Sequence, residues 1–332
     1  MKKVVIVLSV VVALFAAGGV AINYISAKDV KISPTVSTVV NDIKNSDKKE
    51  DVFPEFYKGI YLTVESANNM NKLKVLVEKA KQAGLNSLVM DVQSSRYAKC
   101  IVPAENVQYV KDNGLHPIAR VVIFPDGLKN WPVSEEYIKD KIDIAESACK
   151  NGFREIQFDY IRFNDSSRNK HVKIQERYTF IEGFITRTKN QLKPYNAKFA
   201  ADIFGRIPLN ADDIIGQKME SMDKVVDIIC PMAYPSHYTW SKKLMKDPYF
   251  TVLKTSQRAK ERAKNAQIVS WIQAFKMKLY DMPYDKYINE QIKAVHDSGI
   301  NGYFLWNARQ DYNVPFQVVK SFYKNNSDLA KN

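Results

Sequence analysis

Three aspartates lie inside short apolar runs, where a carboxylate is costly to bury: Asp91 in SLVMDVQ, Asp159 in EIQFDYIRF and Asp202 in AKFAADIFG. Side chains of a strand alternate between faces, so Gln157 and Asp159 part from Ile156, Phe158 and Tyr160. The same parity groups Val89, Asp91 and Gln93, and likewise Ala200, Asp202 and Phe204. Arg120 in HPIARVVIF and Arg162 at the end of EIQFDYIRF are available counter-charges, since a carboxylate buried without a partner is strongly unfavourable. Carboxyl groups gathered in this way suit proton transfer and charge stabilisation at a reacting carbon. They could also hold Mg²⁺ or Ca²⁺ for phosphoester chemistry. The acids are far apart in sequence, however, and no DxD or phosphate-cradling glycine loop accompanies them.

Other residue types narrow the chemistry. Cys100, Cys149 and Cys230 are odd in number and widely spaced, which suits buried thiols rather than a disulfide framework or a zinc site. The four histidines are scattered, with no HExxH-type pair. No cofactor or metal is therefore expected. Aromatic residues recur at the ends of the apolar runs: Tyr61, Tyr160, Tyr234, Tyr238, Trp240, Trp271 and Trp306. Flat rings there could stack on sugar faces. Tyr238 and Trp240 stand in the polar loop SHYTWSKK and look least like core; His237 beside them and Asn307 beside Trp306 are further binding candidates.

These groups need elements to position them. From Tyr57 onward, eight apolar runs (GIYLTV, SLVMDVQ, HPIARVVIF, EIQFDYIRF, AKFAADIFG, VDIICPMAYPS, QIVSWIQAF, NGYFLWNA) alternate with charged amphipathic stretches. Stretches such as NKLKVLVEKAKQAGLN, SEEYIKDKIDIAESACKNGF and YDKYINEQIKAVHDSGIN carry apolar residues at three- and four-residue spacing, with a glycine near each end. Eight such repeats fit an α/β fold, a single (β/α)8 TIM barrel, better than a doubly wound sheet. In that barrel helices cover the outer face of every strand. The apolar face of EIQFDYIRF then turns outward, and Asp91, Asp159 and Asp202 point inward toward the C-terminal mouth.

At these residues the sequence resembles a bacterial family of putative glycoside hydrolase domains, TIM barrels that carry FDYIRF-type motifs. The resemblance runs from KGIYLTVESANN through ARVVIF, GFREIQFDYIRF, ADIFG and CPMAYPSHY to GYFLWNA. It implies the barrel, and hydrolysis of a glycosidic bond by two carboxyl groups, one protonating the leaving oxygen and one attacking or stabilising the anomeric carbon. Asp159 is expected in the second role and Asp202 in the first. Asp91, Arg120, Arg162, Tyr234, His237, Tyr238, Trp271, Trp306 and Asn307 are expected to bind substrate. Glu65, after the first run, and Asp91 are reserve acids. QIVSWIQAF ends in Gln273 with no acid, so a strand-four and strand-seven glutamate pair is not available. A non-catalytic carbohydrate-binding barrel is the alternative.

The chain opens with Lys2 and Lys3 before an apolar stretch from Val4 to Ile22, interrupted by Ser9 as its one clearly polar side chain. That length suits either a membrane-spanning anchor or a signal peptide, with the rest of the chain sent outward. Residues 1–27 are read as this segment, 28–54 as a polar linker, 55–326 as the barrel and 327–332 as a tail. The formal net charge of +13 suits an anionic polymer or lipid surface as partner, or simply a solvated basic face. No nucleic-acid motif accompanies it. The expected setting is extracytoplasmic, with a polysaccharide, neutral or anionic, as partner.

Overall fold

The computed structural model describes residues 53–94, 98–166 and 169–330. The segment 1–27 and most of the 28–54 linker lie outside the described residues. The rest falls in one compact unit, Asp51–Asn332. Each of the eight apolar runs forms a strand: β1 (Tyr57–Leu62), β2 (Ser87–Asp91), β3 (His116–Val122), β4 (Glu155–Asp159), β5 (Lys198–Phe204), β6 (Ile228–Met232), β7 (Gln267–Ile268 and Ser270–Gln273) and β8 (Gly302–Trp306). All are parallel, each pairs with the next in sequence, and β8 pairs with β1 to close a (β/α)8 barrel. The break in β7 falls at Val269, whose backbone N–H still bonds the Ile229 carbonyl at 3.1 Å.

Eight principal helices follow the strands: α1 (Met70–Ala83), α2 (Ala104–Asp112), α3 (Glu135–Lys150), α4 (Ile174–Leu192), α5 (Met219–Val225), α6 (Pro248–Arg262), α7 (Tyr284–Ser298) and α8 (Asn313–Asn325). Their ends are written locally. Asn69 caps α1 by accepting from the N–H groups of Asn71 and Lys72, and Ser134 caps α3 through Tyr137 N–H. Gly84 closes α1 at φ 83°, a left-handed conformation that glycine adopts without steric cost.

Alternation along each strand sorts the core into two layers. Ile60, Leu62, Leu88, Met90, Ile156 and Phe158 belong to the larger cluster between sheet and helices. Tyr57, Val89, Ile118, Ala200, Cys230, Trp271 and Phe304 fill the barrel interior. The floor is polar: Glu155 Oε2 accepts from Tyr57 Oη at 2.9 Å and lies 2.9 Å from His116 Nε2. Above it the interior positions of β2 to β5 become Asp91, Arg120, Gln157, Asp159 and Asp202. All three cysteines are free and buried.

Candidate active site

Strand register assembles the charged layer. Asp91 pairs in register with Arg120, and Arg120 with Gln157. Phe158 pairs with Ala201, so Asp159 and Asp202 are the next positions along two adjacent strands, whose backbones run about 4.8 Å apart. Arg120 is 5% exposed and bridges the cluster. Its Nε donates to Asp159 Oδ2 at 3.1 Å, Nη2 donates to the same oxygen, and Nη1 donates to Asp91 Oδ1. The second oxygen of Asp91 accepts from Tyr61 Oη at 2.6 Å. Burial works against the charge on Arg120, but Asp159 and Asp91 outweigh it and hold the guanidinium well above the ordinary arginine value. It stays cationic throughout the working range.

Asp159 is the last residue of β4. Tyr160 then turns to φ 51°, and its backbone N–H donates to Asp159 Oδ1 at 2.5 Å. Strict alternation would have sent Tyr160 outward to the helices. The left-handed turn ends the alternation and leaves Tyr160 on the wall of the cleft.

Asp202 has a different environment. It is 2% exposed, and Oδ1 accepts from Gln157 Nε2 at 2.6 Å and from Trp271 Nε1 at 2.7 Å. Burial, reinforced by the negative charge of Asp159, pushes its carboxyl well above the usual carboxylate range, against the opposing pull of Arg120 and the two hydrogen bonds. The shift favours the protonated form of Asp202. Because Oδ1 takes both N–H donors, the proton belongs on Oδ2. One carboxylate fixed on a permanent cation and one buried carboxyl pushed toward its protonated form stand side by side as a base-like and an acid-like group.

A cleft of about 380 Å³ opens over this pair. Of the sequence-predicted residues, Asp159, Asp202, Arg120, Arg162, Tyr234, His237, Tyr238, Trp271 and Trp306 line it. Asp91 is not on the wall and instead bonds Arg120 from the side of Tyr61. Trp306 lies 4.3 Å from the Tyr61 ring, meets Trp271 edge-on at 5.4 Å, and has the Arg120 guanidinium 5.2 Å from its own ring. Tyr238 lines the cleft but is not the loop aromatic its polar sequence suggests. Its ring is buried, and its hydroxyl reaches the Gly205 carbonyl at 2.9 Å and Thr255 Oγ1 at 2.7 Å. Trp240 is the exposed partner, 58% accessible.

Two further predicted residues, besides Asp91, are not brought to the cleft. Glu65 is exposed and paired with Lys72, which holds its carboxyl below the ordinary value. Asn307 is buried, and its Nδ2 donates to the carbonyls of Ala274 (2.6 Å) and Asp311 (3.1 Å), tying down the loop after β8. Three residues absent from the sequence-based set matter. Gln157 orients Asp202, and its inward parity two positions before Asp159 was the available signal. Arg206 lines the cleft beside Phe204. Gln217 holds the end of β5, donating to the Asp202 carbonyl at 2.9 Å and accepting from Phe204 N–H at 2.9 Å. Its position in an irregular loop carries no sequence signal.

Comparison with known proteins agrees with the barrel. A family described as "Putative glycosyl hydrolase domain" matches residues 129–312. Among solved structures, the PgaB (BpsB) glycoside hydrolase domain from Bordetella bronchiseptica superposes with TM-score 0.62 at 8% identity, covering 80% of this chain and 98% of that one. The endo-1,4-beta-mannanase from Rhizomucor miehei gives 0.58 at 10% identity, covering 85% and 96%. The spore cortex-lytic enzyme SleL from Bacillus cereus gives 0.54 at 14% identity, covering 82% and 75%. At these identities the likeness is one of fold. No protein of curated function matches the sequence.

Proposed function

The chain belongs to the family of putative glycosyl hydrolase domains, and on that premise we propose that it hydrolyses glycosidic bonds of an extracytoplasmic polysaccharide, with Asp202 as general acid and Asp159 as the carboxylate facing the anomeric carbon. The observation that supports this most is the contrast between the two aspartates at adjacent strand ends. Hydrolysis through an oxocarbenium-like transition state needs one carboxyl that gives a proton and one that stays negative. Asp202 is buried, shifted toward its protonated form and held at Oδ1 by Gln157 and Trp271, leaving Oδ2 to donate. Asp159 is fixed by Arg120 and by Tyr160 N–H, so its charge need not reorganise as positive charge grows on the sugar. Trp306 and Tyr160 supply ring faces beside the pair.

Arg120 also weighs against the metal-dependent alternative, because its guanidinium occupies the place between Asp91 and Asp159 that a divalent cation would take. A non-catalytic carbohydrate-binding barrel would use the same rings without needing the contrast in protonation. The purified chain, screened against polysaccharides and against aryl glycosides with activated leaving groups, separates these readings. Asp202→Asn should cost about 10²–10⁴-fold on natural substrates while sparing aryl glycosides, whose leaving groups need no proton. Asp159→Asn should abolish turnover of both. Equal loss on both substrate types in Asp202→Asn would remove it from the acid role, and glycan binding without turnover in the unmodified chain would favour the binding barrel.

A further inference from the structure

The cleft walls carry more positive charge than the two-carboxylate chemistry uses. Arg162 and Arg206 both line it, with guanidinium carbons 4.5 Å and 4.8 Å from the centre of the Phe204 ring. Arg206 is matched by Asp213, to which Nε and Nη2 donate at 2.8 and 3.0 Å. Arg162 is not matched in the same way. It is 8% exposed, its Nη1 donates to the Phe163 carbonyl at 3.0 Å, its Nε is buried without a hydrogen-bond partner among the described residues, and its carboxylate partner, Asp165 at 3.0 Å, is 53% exposed and lies 3.6 Å from Arg206 as well. A buried guanidinium held by a single solvent-screened carboxylate is incompletely compensated.

A second observation comes from the segment just after Trp240 in the chain. Two residues beyond that exposed ring, the short helix Lys242–Lys246 begins, and Lys242, Lys243, Lys246 and Lys286 line a surface groove of about 590 Å³. The acids of the groove are Asp247 and Glu290, and Asp247 already accepts from Phe250 N–H as the cap of α6. Among the described residues none of the four lysines forms an ion pair; Lys243 and Lys246 rest over the rings of Phe250 and Tyr280. Lys278, near His237 on the cleft wall, adds to the same side and opposes protonation of that imidazole, which burial already disfavours.

We propose that the cleft and the lysine groove form one binding track for an anionic glycan, a chain bearing carboxylate or phosphodiester groups, with Arg162 taking an anionic substituent near the scissile bond, Trp240 stacking on a sugar further along, and the lysines meeting later charges. The track rests on the hydrolase reading only for where the cut is made.

The test is equilibrium binding of the full chain to polygalacturonate, to a phosphodiester-linked glycan and to a neutral glucan of matched length, at low and at physiological salt. Tighter binding of either anionic polymer than of the glucan, weakening on the order of tenfold as salt screens the contacts, supports the track and identifies the anionic group. The triple variant Lys242→Gln, Lys243→Gln, Lys246→Gln should lose most of that selectivity while unfolding at the same temperature as the parent. Arg162→Gln should reduce binding of short anionic oligomers that do not reach the groove. Equal affinity for the neutral glucan, unchanged binding in the triple variant, or lysine-dependent binding to phosphatidylglycerol vesicles without binding to either anionic glycan would each overturn the proposal. Because the readout is binding, it stays distinct from the hydrolase reading. Asp159-dependent cleavage of neutral glycans alone would sink the track and leave the hydrolase, whereas anion-selective binding without cleavage would do the reverse.

Discussion

At the scale of single residues, the site is governed by how one arginine serves two carboxylates. Removing Arg120 leaves Asp91 and Asp159 facing each other without compensation, so Arg120→Gln should lose about 3–5 kcal/mol in chemical denaturation. Asp159→Asn leaves Arg120 still bonded to Asp91, and should lose much less stability while abolishing turnover. Equal destabilisation by the two substitutions would mean that Asp159 is chiefly a structural partner. Asp202 gives a second expectation, with opposite sign from an ordinary ion-paired aspartate. Its carboxyl pKa is raised on folding above the usual 3.8, so the folded state binds the proton more tightly. Its contribution to stability is fully present below pH about 4 and fades as pH rises through the raised value. Asp202→Asn should therefore stabilise the protein at neutral pH and alkaline pH relative to the parent, and bring no gain near pH 3. Unfolding temperatures measured across pH check this, and a variant less stable than the parent at pH 8 would show that Asp202 is ionised there. The three aspartates were visible in the sequence because each breaks an apolar run. Arg120 was visible too, as an available counter-charge, but that it would serve both Asp91 and Asp159 was not, since neither lies within 28 residues of it and barrel register makes them neighbours.

At the scale of elements, alternation along strands was the most informative signal, and it held wherever the strand continued. It correctly separated Ile156 and Phe158, facing helices, from Gln157 and Asp159, facing the interior. It failed at Tyr160, where φ becomes positive, but carried through the break in β7, where Val269 and Trp271 face the interior and Ile268 and Ile272 the helices. Loop residues were the least legible. SHYTWSKK reads as a solvent-facing segment, yet Tyr238 is drawn into the wall by hydrogen bonds to Gly205 and Thr255, partners 33 and 17 residues away. That contact makes a test of the element that carries Trp240. A Cβ at Gly205 would meet Tyr238 Oη at 2.2 Å and the Met232 carbonyl oxygen at 2.4 Å. The carbonyl belongs to β6 and cannot swing away. Gly205→Ala should cost about 1–3 kcal/mol, as overpacking does, and should weaken binding of long glycans more than short ones by displacing the loop from Tyr238 to Trp240. Unchanged stability in urea would show that the ends of β5 and β6 are less tightly apposed than these distances require.

At the scale of the whole molecule, the remaining question is where a basic barrel of this kind would meet a polysaccharide. No helix among the described residues is long and apolar enough to cross a membrane. The stretch that has the required character, Val4 to Ile22, precedes them, and Lys2 and Lys3 stand before it. Lysines flanking an apolar segment are retained on the cytoplasmic side, which directs the following residues outward. Protease added to intact spheroplasts of a bacterial host should therefore digest the barrel, while a cytoplasmic marker in the same cells survives. Replacing Lys2 and Lys3 with glutamate should weaken that exposure, because the orientation signal is the positive charge rather than the apolar length. The two fates of the segment then separate by fractionation: an uncleaved anchor keeps the barrel with the membrane pellet after a high-salt wash, whereas a cleaved signal releases a chain shorter by about 27 residues. A salt wash matters here, since a surface with a formal charge of +13 would adhere to anionic lipid without any anchor and come free as the charges are screened. Complete protection of the barrel from protease in intact spheroplasts would sink the extracytoplasmic assignment, and with it the choice of an envelope or external polysaccharide as the substrate.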